Sequence, residues 1–173
     1  PTDAGYQGIG KQISKPNGIW YTPVTGIWQT VWMEPVAANH IEAVNTVPDI
    51  DNGTLTVDVP LSAPAAGSVI EVIALDGGKT VATAKTTPAF PAVLSIADAK
   101  LWSPDSPFLY DMEVNLYENG KKIDSVKSYA AMRKISTRRD ENGVMRMQLN
   151  NKDLFQYGPL DQGYWPDGLY TAP

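Results

Sequence analysis

The stretch FLYDMEVNLYENGKKIDSVKSYAAMRKI, residues 108–135, decides the fold. Phe108, Tyr110, Met112, Val114 and Leu116 recur at every second position, which places them on one face of an extended strand. Asn119-Gly120 follows, and both residue types accept the positive φ that a two-residue type I′ turn demands. On the return strand Ile123 and Val126 are three positions apart and so out of phase with each other. One extra residue, a β-bulge, would bring the strand back into step. The stretch therefore predicts a long antiparallel hairpin with a bulge in its second arm.

Upstream the same pattern repeats in shorter pieces. In GTLTVDVP, residues 53–60, Leu55, Val57 and Val59 face one way and Thr54, Thr56 and Asp58 the other. SVIEVIALDGGKTVATAKT, residues 68–86, reads as two strands around an Asp-Gly-Gly turn at Asp76 to Gly78. PAVLSI, residues 91–96, is a short apolar strand before Asp98. Fourteen Gly and fourteen Pro punctuate the chain, and short alternating segments between such breakers are the pattern of an all-β protein. Residues 35–134 thus hold about seven strands in about 100 residues, the proportions of an immunoglobulin-like β-sandwich. With no cysteine, the antibody-type disulfide is excluded, as are thiolate metal sites and a Cys nucleophile.

The flanks read differently. Residues 1–34 carry Trp20, Trp28 and Trp32, and only IWQTVWMEP, residues 27–35, has the look of a strand. Residues 135–159 are turn-rich. DENG at 140–143 and Asn150-Asn151 separate VMRMQL from DLFQYG, and these are expected to be strands leading into a further domain. The chain then ends LDQGYWPDGLYTAP, residues 160–173, a polar-aromatic loop without apolar periodicity.

Composition narrows the function classes. In 173 residues the net charge is -5, and no basic block is present to meet nucleic-acid phosphates. There is no run of about 18 apolar residues that would suggest a membrane span. No apolar leader segment is seen at the amino end, so no signal peptide is expected in this sequence. His40 is the only histidine. A Ser-His-Asp triad would depend on it, yet no Gly-x-Ser-x-Gly elbow accompanies it, and an ordinary structural role is expected. One imidazole with scattered carboxylates is no metal constellation, and no cofactor is expected.

The six glutamates are Glu34, Glu42, Glu71, Glu113, Glu118 and Glu141. Glu71 and Glu113 occupy polar strand positions; Glu118 and Glu141 precede Asn-Gly turns. Solvated faces are expected for all, not the convergent pair that glycoside hydrolysis needs. Trp20, Tyr21, Trp28 and Trp32 form an aromatic group that reads as a core or interface cluster more than as a sugar-stacking platform. In DQGYWPD, the residues Asp161, Gln162, Tyr164, Trp165 and Asp167 either stack on and hydrogen-bond a sugar or form a packed loop locked by Pro166.

TGIWQTVWMEPV (25–36), LWSPDSPFLYDMEVNLYENGKKIDSVKSYAAMRKI (101–135) and LDQGYWPDG (160–168) resemble glycoside hydrolase family 2, the family of β-galactosidases, β-mannosidases and β-glucuronidases. Its order is a sugar-binding jelly roll, an immunoglobulin-like sandwich and a TIM barrel. The resemblance implies that residues 1–34 are the tail of the jelly roll, 35–134 the sandwich, and 135–173 the truncated start of the barrel. DLFQYGPLDQGYW would then be the first barrel strand and its loop. Barrel active sites lie at the carboxyl ends of the strands, so Asp161, Gln162, Tyr164 and Trp165 are placed near the substrate cleft of a parent enzyme. That parent would be a retaining glycosidase acting on β-glycosides. The family's two catalytic glutamates come from later barrel strands, and no position here matches their motifs.

The expectation is a non-catalytic structural segment, or alternatively a carbohydrate-binding module using exposed aromatics. Its partners would be the neighbouring jelly-roll and barrel domains, with truncated edges that could pair between chains. The chain departs from the family in QGIGKQ, where related sequences carry Pro-Arg before Gly-Lys-Gln, and in NNK, where Asn-Gly-Lys is usual. Neither the parent's sugar nor its compartment is fixed: related polysaccharide-degrading enzymes are often exported, and others are cytoplasmic.

Overall fold

A computed structural model describes residues 5, 9–27, 29–160, 162–165 and 168. The chain divides into two compact units, Pro35–Tyr157 and a second made of Pro1–Glu34 together with Gly158–Pro173.

The first unit is an immunoglobulin-like sandwich. Seven of its strands are β1 (Asn45–Asp49), β2 (Thr54–Asp58), β3 (Ser68–Asp76), β4 (Lys79–Thr86), β5 (Ala92–Ser95), β6 (Tyr110–Glu118) and β7 (Lys121–Ala130). They form two antiparallel sheets, ordered β1-β2-β5 and β4-β3-β6-β7. The core lies between them. Leu55, Val57 and Leu94 project from one sheet, and Ile70, Val72, Ala74, Met112, Val114 and Leu116 from the other, all at 0–1% exposure. In β2 and β6 these are the alternate positions that the sequence marks as apolar. Two sheets packed this way gain from apolar area removed from water, at about 25 cal/mol per Å².

The hairpin turns behave as their residues dictate. Asn119 and Gly120 adopt φ of 49° and 78°, and Gly77 and Gly78 adopt 57° and 83°. The bulge falls in β7. Tyr117 pairs with Lys122 but Leu116 pairs with Asp124, so Ile123 is the unpaired residue. Beyond it Val126 stands opposite Val114 and Ala130 opposite Tyr110, which turns the apolar positions of β7 inward.

Three more strands follow in the same unit: β8 (Ile135–Arg139), β9 (Met145–Leu149) and β10 (Lys152–Asp153), in a sheet ordered β10-β9-β8. Their turns are DENG, where the Asp140 carboxylate accepts from the amides of Asn142 and Val144 at 2.9 Å each, and Asn150-Asn151, both left-handed at φ 53° and 63°. The strand expected across DLFQYG is only partly formed: β10 stops at Asp153, and Phe155 and Tyr157 are 86% and 93% exposed. IWQTVWMEP is likewise not a strand among its described residues. Ile27, Val31, Trp32 and Met33 are exposed, and an alternating segment becomes a strand only where a partner completes its ladder. Among the described residues no helix is long and apolar enough to cross a membrane.

Candidate functional site

The loop singled out by its chemistry lies in the unit formed by residues 1–34 and 158–173. Residues 9–24 make a small framework there. Gln12 and Tyr21 form a parallel bridge, with the Tyr21 amide donating to the Lys11 carbonyl at 2.8 Å and the Gln12 Oε1 accepting from the Val24 amide at 2.7 Å. This fixes Tyr21. The Tyr164 ring stacks on it, centroids 5.0 Å apart and planes 16° from parallel. The Tyr21 hydroxyl donates to Gln162 Oε1 at 3.1 Å, and the Tyr164 hydroxyl donates to the Thr22 carbonyl at 3.1 Å. Tyr pairs of this kind add about 0.5–1.5 kcal/mol beyond the area they bury.

Gln162 and Tyr164 are thus brought together around Tyr21 and Thr22, with 141 positions of sequence between Tyr21 and Gln162 and 142 between Thr22 and Tyr164. Trp165 is half-buried and occupies a bridge position. Asp161, Pro166, Asp167 and Trp28 lie outside the described residues. Trp20 is 39% exposed and Trp32 76% exposed, and the ring contact found within this unit is the Tyr21–Tyr164 stack. The tryptophan cluster is therefore not assembled among the described residues. Tyr21, rather than the tryptophans, is the residue that organises the loop.

The sandwich carries its polar chemistry on outer faces. Glu71 on β3 stands beside Lys85 on β4 and Asn115 on β6. Its carboxylate meets Lys85 Nζ at 3.1 Å, the Tyr117 hydroxyl at 3.0 Å and Asn115 Nδ2 at 3.4 Å. Asn115 Oδ1 in turn accepts from Ser125 Oγ at 2.8 Å, which lets this amide stand at 4% exposure with its hydrogen-bonding capacity met. Lys85 above all holds the Glu71 carboxyl below the usual range, and the Tyr117 and Asn115 hydrogen bonds add to it against the effect of burial. The same bond to Glu71 raises the Tyr117 hydroxyl. Asp140 is lowered chiefly by Arg146, Asp153 chiefly by Gln148 and then Arg138, and Asp51 chiefly by Lys134. No Asp or Glu among the described residues is buried.

His40 sits where the chain enters the sandwich. Its Nδ1 lies 2.9 Å from the Ala37 carbonyl and 3.0 Å from Ser62 Oγ, while Ser62 Oγ donates to the Ala38 carbonyl at 3.0 Å. A carbonyl can only accept, so Nδ1 carries the proton and the serine proton points away from the imidazole. That is the reverse of a nucleophile and its base. The pair instead ties residues 37–40 to the strand-edge bridge between Ile41 and Leu61.

Among the described residues no group of three or more His, Cys, Asp or Glu side chains is arranged to hold a metal ion. Sequence reasoning missed two polar junctions. One is the Lys85–Glu71–Asn115–Ser125 ladder, legible only as polar residues alternating with core ones. The other is the Asn150-Asn151 turn, whose side chains reach three other loops.

Comparison with known proteins matches residues 39–133 to the model of the glycosyl hydrolases family 2. Among solved structures the fold is similar to an FMN-binding β-glucuronidase from Facaelibacterium prausnitzii L2-6, at 22% identity and a TM-score of 0.55, covering 68% of this chain and 19% of that one. It is also similar to the β-glucuronidase of Ruminococcus gnavus, at 17% identity and a TM-score of 0.58, covering 69% and 19%. The chain thus spans about a fifth of the length of the β-glucuronidases it matches. No curated protein matches it. With the family match covering more than half the chain and coinciding with the seven-stranded sandwich, the chain belongs to glycosyl hydrolases family 2.

Proposed function

We propose that this chain acts as a non-catalytic structural segment of a longer family 2 glycosidase. The observation that carries the reading is the coincidence of the family match with a closed sandwich in which Glu71, Asp49 and Asp51 are engaged sideways, in ion pairs and turn caps. Those contacts lower proton affinity, whereas a general acid in glycoside hydrolysis needs it raised. On this reading residues 1–34 are the tail of a jelly roll, 35–134 the sandwich and 135–173 the start of a TIM barrel. The whole enzyme would be a retaining hydrolase of β-glycosides. Gln162 and Tyr164, with Asp161 and Trp165, would lie near its substrate cleft, where Tyr21 holds Gln162 and Tyr164. The structural neighbours, at 17–22% identity, speak for the fold and leave the sugar open.

The test is turnover of aryl-β-glycosides by the purified chain. None is expected. Turnover abolished by Glu71→Gln, or by changing another of its own carboxylates, would overturn the reading. A second reading rests on the exposure of Trp32 and Trp20: a carbohydrate-binding module. Saturable quenching of tryptophan fluorescence by soluble β-glycans, lost in Trp32→Ala, would favour it over the scaffold.

A further inference from the structure

Four loops of the first unit meet at the end of the sandwich from which β8 departs. They are the β1–β2 turn, the loop before β6 at Trp102, the β7–β8 junction at Lys134, and the β9–β10 turn at Asn150-Asn151. Asn150 serves two of them at once. Its amide nitrogen and side-chain Oδ1 close a reciprocal pair with Lys134: the Asn150 amide donates to the Lys134 carbonyl at 2.8 Å, and the Lys134 amide donates to Asn150 Oδ1 at 3.0 Å. Its Nδ2 donates to the Trp102 carbonyl at 2.9 Å. Asn151 reaches the fourth loop, its Nδ2 donating to Asp51 Oδ1 at 2.6 Å. Lys134 pairs with the other oxygen of the same carboxylate.

The surfaces these two asparagines grip are themselves fixed. The Asp49 carboxylate organises the β1–β2 turn, accepting from the Asp51 and Asn52 amides at 3.0 Å each and from Asn52 Nδ2 at 2.7 Å. Asp51 is thereby presented in one orientation. Trp102 is held by its amide on the Met132 carbonyl at 2.9 Å, by the Leu101–Met132 bridge and by the Arg133 guanidinium 4.9 Å over its ring. Met132 itself is fully buried. Both asparagines stand in the left-handed region, which costs an L side chain that a glycine would not incur. The side-chain contacts are what offset that cost.

We propose that the Asn150-Asn151 turn is a clasp that locks the β8–β10 sheet to the sandwich, so that the two move as one rigid body. A single covalent crossing at residues 131–134 would leave a hinge there. The clasp adds a second attachment, from Asn150 to the Trp102 carbonyl, and a third, through Asp51, on the opposite sheet. The sheet it holds leaves Ile135, Met145 and Met147 exposed, and three strands without a buried apolar face lack independent stability, so its order and its direction both depend on the sandwich. The inference rests on the geometry of this unit and does not require the scaffold reading of the whole enzyme.

The experiment uses the intact chain in solution, with residual dipolar couplings and residue-resolved hydrogen exchange. In the native protein, couplings from β8–β9 and from β3–β6 are expected to fit one alignment tensor. Asn150→Asp keeps the left-handed residue and the acceptor for Lys134 but turns the Trp102 contact into two opposed acceptors. It is expected to speed exchange of the β8 and β9 amides about tenfold while β3 and β6 keep native rates, the mark of local opening. Asn151→Gly relieves the backbone and removes the Asp51 contact, and a smaller change in the same direction is expected. Should Asn150→Asp fail to fold, Asn151→Gly decides alone. Separate tensors in the native protein, native exchange in both variants, or uniform acceleration across β3, β6, β8 and β9 would overturn the clasp.

Discussion

The phase of β7 is open to a direct test by exchanging which side chain is shortened. In a regular hairpin closed by Asn119-Gly120, Lys127 would stand on the core side and Val126 outside. With Ile123 bulged out, Val126 faces Val114 across the ladder and Lys127 faces Glu113. Val126 is half-buried and packs against the core cluster. Val126→Ser removes about two methyl groups' worth of burial, at about 0.8 kcal/mol each, and sets a hydroxyl against apolar neighbours. The expected loss is about 2 kcal/mol. Lys127→Ser removes one exposed charge and is expected to stay within about 0.5 kcal/mol. For a sandwich of this size a 2 kcal/mol loss lowers Tm by roughly 8–16 °C. Urea unfolding followed by far-UV circular dichroism gives both values, with the slope m unchanged if only the folded state is affected. A costly Lys127→Ser beside a neutral Val126→Ser would mean that the bulge is absent and that the inward face of β7 is the other one.

Three further outcomes follow from local geometry. Because the Glu71 pKa is depressed in the fold, chiefly by Lys85, its contribution to stability is complete above the unfolded value near 4.5 and is lost as pH falls through the folded value; Glu71→Gln should flatten that acid limb in a stability-versus-pH series, and an unchanged limb refutes the network. Asn119→Ala forces a left-handed alanine into the type I′ turn and should cost about 1 kcal/mol in chemical denaturation, whereas Asn119→Gly should cost less. Gly53→Ala and Gly77→Ala meet similar positive φ, but a Cβ at Gly53 would lie 3.3 Å from the Ile96 carbonyl oxygen while one at Gly77 meets nothing within 4 Å. The Gly53 variant should therefore be the less stable of the two by thermal melting.

The sandwich is legible in the sequence because its signals are local and redundant. Period-two apolar runs name the buried face of β2 and β6, whereas β3 and β5 carry apolar residues on both faces and show their strands without showing which side is buried. Asn119-Gly120 and Gly77-Gly78 name the turns, and the misfit between Ile123 and Val126 is enough by itself to announce the bulge. The flanks are less legible for a physical reason. IWQTVWMEP and DLFQYG alternate as strands do, yet a strand exists only when a neighbour completes its hydrogen bonds. Alternation records what a segment can bury and says nothing about whether its partner is at hand.

The candidate site shows the complementary limit. Asp161, Gln162, Tyr164 and Trp165 stand out for what their side chains can do. What no local pattern encodes is that Tyr21, more than 140 positions away, supplies the ring and hydroxyl around which Gln162 and Tyr164 are arranged. The clasp is hidden in the same way. Asn150-Asn151 reads as a turn because asparagine tolerates left-handed backbone, and turn chemistry alone leaves the grip of the two side chains on Trp102, Lys134 and Asp51 without a cause. Glycine would make the turn equally well and grip nothing. The choice of asparagine at both positions is therefore better accounted for by the three loops it joins than by the turn it forms.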